Sequence, residues 1–292
     1  FAGNGLEDPV DYSFVLEDDD PDTVPLPLGE TVSGSLANVT DQIHYGFSLA
    51  EDTLLYLDDM NYGYTAGLWF TLSGPDGIAN YSTAPHSNSL FPVRAGDYRL
   101  TVATYGDLDY KFRVMDFNSL PLFAPGTPIH GTLFPTNETD LYRFHANAEE
   151  RFYFDVVDLS ENANGIYWRL IDPYGDEVFN RWVYEWIRDI DTTTLKYEGD
   201  YVLQIIGSAW NGIVDPMQYE INVQPVSFSK EPLLFGETIS GAISVPGEQD
   251  HYSFTVTDSK IAYLDILQLE HSWLNWSLVG PRETTALPTT DG

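Results

Sequence analysis

Carboxylates are the residues of this chain best equipped for chemistry, and the chemistry they suggest is cation coordination. Asp18, Asp19, Asp20 and Asp22 crowd one short stretch, and Asp107 and Asp109 follow Gly106. Calcium takes about six to eight hard oxygen ligands, which clustered acids on a loop can supply. Neither group has the spacing of the twelve-residue calcium loop between two helices, so a solvated acidic linker is the competing account. Ca2+ is the one cofactor these residues suggest.

A second constellation is aromatic. Read as a strand, residues 178–189 place Trp182, Tyr184 and Trp186 on one face, with Arg181 and Arg188 flanking the row. Such a row either fills a core or, if exposed, stacks on sugar rings or meets another subunit. Nucleophile patterns are missing: there is no Gly-x-Ser-x-Gly elbow, no His-Glu-x-x-His pair, no phosphate-cradling glycine loop and no cysteine. Asn38, Asn80, Asn137 and Asn275 head Asn-x-Ser/Thr acceptor sequences for N-linked sugar.

The elements that would position these residues repeat. PLPLGETVSG (25–34) returns as PLFAPGTPIHG (121–131) and as PLLFGETISG (232–241), with Gly29, Gly126 and Gly236 separated by 97 and then 110 residues. Tyr45-x-Phe47, Tyr142-x-Phe144 and Tyr252-x-Phe254 follow. Next come Tyr56-x-Asp58, Tyr153-x-Asp155 and Tyr263-x-Asp265, then Phe70-x-Leu72, Trp168-x-Leu170 and Trp276-x-Leu278 before a proline turn. Gly96-Asp97-Tyr98 and Gly199-Asp200-Tyr201 precede the closing strands Tyr110-x-Phe112-x-Val114 and Tyr219-x-Ile221-x-Val223. Asn4, Asp8, Pro9 and Tyr12 lie 207 residues before Asn211, Asp215, Pro216 and Tyr219. The array therefore alternates two types. The expected segments are the last strand of a preceding repeat with an acidic linker (1–24), a type A repeat (25–119), a type B repeat (120–227) and a truncated type A repeat (228–292). Asp58, Asp155 and Asp265 recur in every repeat, which predicts a role in the fold, such as bonding to turn amides, rather than catalysis.

Alternating apolar and polar residues bounded by Gly, Pro, Asn and Asp predict short strands, and no segment sustains a helical period. Repeats of this length with about seven strands each match β-sandwich domains, so the fold class is all-β, tandem sandwiches. Thirteen basic residues stand against forty-five acidic ones, a formal charge of −32. Phosphate contact depends on Lys and Arg, so nucleic acid and anionic membrane surfaces are poor partners. No run reaches the roughly eighteen apolar residues needed to cross a bilayer.

The landmark order resembles the bacterial pre-peptidase C-terminal domain. The residues that carry the likeness are Leu28–Gly34, Tyr45-x-Phe47, Leu72-x-Gly74-Pro75-Asp76-Gly77 and Ala95-Gly96-Asp97-Tyr98, with Gly126–Gly131, Asp172-Pro173-Tyr174-Gly175 and Gly199-Asp200-Tyr201 in the second repeat. The resemblance implies a non-catalytic β-sandwich module of a large secreted or cell-surface protein, sometimes calcium-binding. Two further roles stay open beside a stalk, fibre or filament: an accessory module that targets a secreted hydrolase to protein or polysaccharide, and a cation-dependent adhesin. Expected partners are neighbouring copies or adjacent repeats. Tyr12, Phe14 and Leu16 form a strand that needs a sheet, which a neighbouring chain could provide by strand donation.

Overall fold

The computed structural model describes residues 23–38, 40–61, 68–75, 77–82, 89–161, 163, 165–183, 189–207, 215–258, 261–268, 276–280 and 285–287. Its regular structure is almost wholly strand, as the alternation predicts; among the described residues the one helical turn is a 3-10 turn, Phe117–Ser119. None of the helices is long and apolar enough to cross a membrane.

Module A holds β1 (Val24–Pro25), β2 (Thr31–Leu36), β3 (Gln42–Leu49), β4 (Thr53–Asp59), β5 (Leu68–Gly74), β6 (Gly77–Ser82), β7 (Ser89–Val93), β8 (Gly96–Thr104) and β9 (Leu108–Asp116). They form two sheets, β1-β3-β8-β5-β6 and β2-β9-β4-β7. Module B holds β10 (Ile129–Leu133), β11 (Thr139–Ala146), β12 (Arg151–Leu159), β13 (Ile166–Ile171), β14 (Glu177–Val183), β15 (Ile190–Thr194), β16 (Gly199–Ile206) and β17 (Met217–Pro225). Its sheets run β11-β16-β13-β14 and β10-β17-β12-β15. Strand for strand these are the same orders, with the parallel bridge Leu122 to Arg143 standing where β1 pairs with β3 in module A.

Each module closes on its own core. Leu55, Leu57, Phe70, Leu100 and Phe112 are buried together in A, and Phe144, Phe154, Trp168, Leu203 and Ile221 in B. These are the inward residues of alternating strands, so the period of two in the sequence becomes the two-layer packing directly.

The Gly-x-x-x-x-Gly opening has two separate causes. Its first glycine takes a left-handed backbone each time, with φ of 83°, 90° and 89° at Gly29, Gly126 and Gly236, a region L residues avoid. The turn is fastened to the closing strand in both complete modules, where Gly29 N donates to Val114 O and Gly126 N to Val223 O. The second glycine is required by close approach instead. Gly34 faces Tyr110 across the β2–β9 ladder and Gly131 faces Tyr219 across β10–β17, and a Cβ at either would overlap the tyrosine ring. Those rings are held by hydroxyl pairs, Tyr45 with Tyr110 at 2.7 Å and Tyr142 with Tyr219 at 2.6 Å. Gly131→Ala is therefore expected to displace Tyr219 and cost about 1–3 kcal/mol. Denaturant titration checks this, and an unchanged midpoint would refute it.

Chain contacts divide the molecule into two units, one holding both sandwiches with Gly241–Asp250, the other Lys230–Ser240 with the residues from His251 onward. Within the second unit Leu233 N donates to Ser253 O, Phe235 packs on Phe254 at 5.3 Å, and Leu278–Val279 pairs with Thr285–Leu287. Tyr263-x-Asp265, expected to be a strand, is irregular here, with Tyr263 86 % exposed. In the complete modules the corresponding β4 and β12 lie between β9 and β7, or β17 and β15. The described residues from 261 onward include no counterpart of those flanking strands, and an unpaired strand has nothing to satisfy its backbone.

Candidate functional site

The site with the most chemistry in it lies between the two sandwiches. On β4 alternate residues face opposite ways: Leu55 and Leu57 point into the core of A, while Leu54, Tyr56 and Asp58 point out. On β13 and β16 of B the outward residues include Ile171 and Val202. Tyr56, Met115, Phe117, Ile171 and Val202 form a third buried cluster, with Leu54, Leu90, Leu120 and Leu141 packed around it. The outer face of β2-β9-β4-β7 in A is thus seated on the outer face of β11-β16-β13-β14 in B.

Beside this apolar cluster sits a polar one. Asp58 is fully buried. Its Oδ2 accepts from Arg113 Nη2 at 2.9 Å and from the backbone N–H of Thr139, in the other module, at 3.2 Å. Arg113 is the cross-strand neighbour of Asp58 on β9; its Nη2 also donates to Thr139 O at 2.6 Å, and its Nη1 pairs with Glu138 at 3.0 Å. Tyr56 donates its hydroxyl to Thr139 Oγ1 at 2.9 Å. Asn137 Nδ2 donates to the carbonyls of Asp59 and Asn61, each at 2.8 Å. Burial pushes the Asp58 carboxyl up to about 7 against the pull of Arg113, and burial also raises Asp59 and Asp140. The Tyr56 hydroxyl is raised well above its usual value by burial and then by the charge of Asp58. These groups are aimed at one another across the joint. The arrangement fixes the orientation of two modules, and at its rim the exposed pair His145 Nδ1 and Asp200 Oδ1, 2.9 Å apart, lines a cleft with Asp52, Arg143 and Asp172.

The recurrent aspartate therefore does bond to an amide at the first repeat, but to one in the next module rather than a turn of its own. Asp155 is half-buried and Asp265 exposed. Trp182 lies on β14, 36 % exposed, with its ring against Tyr167, its cross-strand partner, and Arg181 beside it is exposed. Tyr184, Trp186 and Arg188 lie outside the described residues, as do Tyr12, Phe14, Leu16, Asp18, Asp19, Asp20, Asp22 and Asn275; Asn80 is described only as backbone in β6. Asp107 and Asp109 are exposed at the start of β9. Among the described residues no group of three or more His, Cys, Asp or Glu is arranged to hold a metal. Asn38 is exposed. Asn137 is 9 % exposed and its Nδ2, the atom that would carry a sugar, is committed to two carbonyls, so a glycan there and this joint exclude each other.

Sequence reasoning passed over Arg113, Glu138 and Thr139. A signal for Glu138 was present: acids recur at this position as Asp41 and Glu248. All three accept backbone N–H bonds from the preceding turn, Asp41 from Asn38, Glu138 from Phe134 and Glu248 from Val245.

No family model matches the chain, and no curated protein matches it. Among solved structures, it is similar to the pre-peptidase C-terminal domain of a collagenase from Bacillus anthracis, at 23 % identity and a TM-score of 0.29, over 34 % of this chain and 99 % of that one. It is similar also to the CUB1-EGF-CUB2 region of human MASP-1/3, at 7 % identity and a TM-score of 0.20, over 65 % of this chain and 99 % of that one. A third is tripeptidyl peptidase 2, at 11 % identity and a TM-score of 0.22, covering 70 % of this chain and 24 % of that one.

Proposed function

We propose that this chain is a non-catalytic structural protein of the cell exterior, a run of pre-peptidase C-terminal-like sandwiches in a large secreted or surface protein. Its modules stack to build a stalk, fibre or filament. The observation that supports the reading most is the joint between A and B. A flexible tether would leave Tyr56, Ile171 and Val202 in water, whereas here they are 0, 0 and 3 % exposed and share the joint with a buried ion pair. Burial of each such side chain contributes on the order of 1.5–3 kcal/mol. That is enough to make one orientation of the pair dominate. The partners in this reading are other modules of the same kind, and the charge of −32 keeps the free faces soluble and apart from nucleic acid.

The chain has no cysteine, so paired spin labels at Asp97→Cys in A and Asp191→Cys in B report on a single distance without background. A narrow distance distribution, unchanged by salt, is expected. A broad one would show modules that move independently and would remove the structural reading. The half-exposed Trp182 ring beside Tyr167 supports a second role, contact with a polysaccharide or a surface protein, on the flank of the same stack.

A further inference from the structure

We propose that the outward face of β3-β8-β5 in module A is a docking surface for the Tyr153-bearing face of a type B module, making a second and polar kind of joint that alternates with the apolar one. The proposal rests on the stacking reading above and adds the partner and its chemistry.

Repeat symmetry identifies the two faces. In the A–B joint the receiving face is β11-β16-β13, whose counterparts in A are β3-β8-β5; the delivering face is β4-β9, whose counterparts in B are β12-β17. The type B delivering face already meets part of a type A repeat in this chain. Gly247 lies against the Tyr153 side chain, and Thr192 Oγ1 donates to Gly247 O at 3.0 Å. Gly247 is the counterpart of Asn137, which in the first joint bonds to the carbonyls of Asp59 and Asn61 at the end of β4, whereas Gly247 meets Tyr153 near the start of β12 and Thr192 on β15. The same loop of a following repeat thus touches the delivering strands at both places, at different points along them, and the face of A that repeat symmetry sets against β12-β17 is β3-β8-β5.

The chemistry differs. Leu141, Ile171 and Val202, which B buries against A, correspond to His44, Ser73 and Arg99. Tyr56, Met115 and Phe117, which A delivers, correspond to Tyr153, Gln224 and Val226. The receiving face of A thus carries Arg99 and His44, with His44 Nδ1 2.9 Å from Thr101 Oγ1. The delivering face of B carries Asp155 on β12 and Glu220 on β17. Burial and the nearby charge of Asp189 raise Asp155, a crowding that an opposing cation relieves. The receiving face also holds Asp97 beside Arg99, and the delivering face Arg151 beside Asp155, so each face offers the other charges of both signs. The footprint has an edge as well. In B, Trp182 stays 36 % exposed against Tyr167 beside the covered zone, and in A Trp69, the counterpart of Tyr167, packs on Tyr105 of the loop after β8, which is 70 % exposed.

Residues 1–22 repeat positions of 208–229, so residues 120–207 placed ahead of Phe1 complete a type B module in the order of the array. Carbethoxylation of His44 by diethyl pyrocarbonate, read by peptide mass spectrometry, tests the contact, with nitration of Tyr105 as reference. Shielding should slow His44 about tenfold relative to the unextended chain, leave Tyr105 unchanged, and be lost again with Arg99→Glu. If the added module does not fold in the fusion, the same module supplied in trans as residues 120–229, whose core closes on itself, must give the same pattern. His44 reacting at its original rate with a folded type B module present, or shielding that survives Arg99→Glu, would overturn the proposal. A single A–B distance together with a reactive His44 would remove this joint and leave the stacking reading in place.

Discussion

At pH 8, where Asp58 is ionised in the folded chain, Arg113→Met lowers the thermal midpoint of the A–B unit by on the order of 10 °C, whereas Asp58→Leu together with Arg113→Met restores most of the loss. The single change strips Asp58 of its charged partner while leaving it sealed between two sandwiches, with Oδ1 already buried and lacking a protein donor. Removing one member of a buried pair costs about 3–5 kcal/mol, because the survivor keeps its desolvation penalty. For a folded unit of this size each kcal/mol is worth about 2–4 °C. The double change removes both penalties and adds apolar surface beside Tyr56 and Met115, which the cluster there accepts. Glu138 loses its contact with Arg113 in either variant, but it is partly solvated and keeps its bond from Phe134 N. Calorimetry on the three proteins decides the matter. Equal midpoints would mean that the Asp58–Arg113 pair contributes nearly nothing despite its burial, and the joint would then rest on its apolar part alone.

Most of each module was legible in the sequence because its causes are local. Gly29 and Gly126 announce a left-handed turn, Tyr45 and Tyr110 or Tyr142 and Tyr219 alternate into a core, and the registers follow from that alternation. The joint was legible only in pieces. Tyr56 and Asp58 recur on β4, yet nothing in a single strand says whether its outward face meets water or another sheet. That depends on Leu141, Ile171 and Val202, more than eighty residues away and on three different strands. Leu141 and Val202 sit at outward positions of alternating strands, where polar residues are expected, and their counterparts His44 and Arg99 in the first repeat are polar. The mismatch between repeats was the available signal. Asn137 illustrates the converse: a local acceptor pattern for sugar, in a place where the neighbouring module occupies the amide.

The same joint sets how the A–B unit responds to pH. Asp58 has its folded pKa raised, to about 7, above the ordinary carboxylate value of 3.8. The folded state therefore holds a proton that the unfolded chain releases. Its contribution is complete below about pH 4 and is lost as pH rises through 7, which for a group this buried amounts to about 2–3 kcal/mol between pH 5 and 8. The groups around it do not reverse the sign. Asp59 beside it on β4 and Asp140 on β11 are raised as well, Glu138 adds a negative charge that favours the protonated Asp58, and Arg113 opposes these in part. Arg169 of β13 acts on Tyr56, whose hydroxyl stays neutral throughout. Protonation also leaves Arg113 its bond to Glu138, so the joint survives in the neutral form. Unfolding free energies by urea titration should then fall steadily from pH 5 to pH 8, and Asp58→Asn should flatten that slope while Asp52→Asn, on an exposed loop, leaves it unchanged. A slope that persists in Asp58→Asn would assign the effect to the overall charge of −32 instead, and stability that rises with pH would mean that Arg113 holds Asp58 ionised across the whole range.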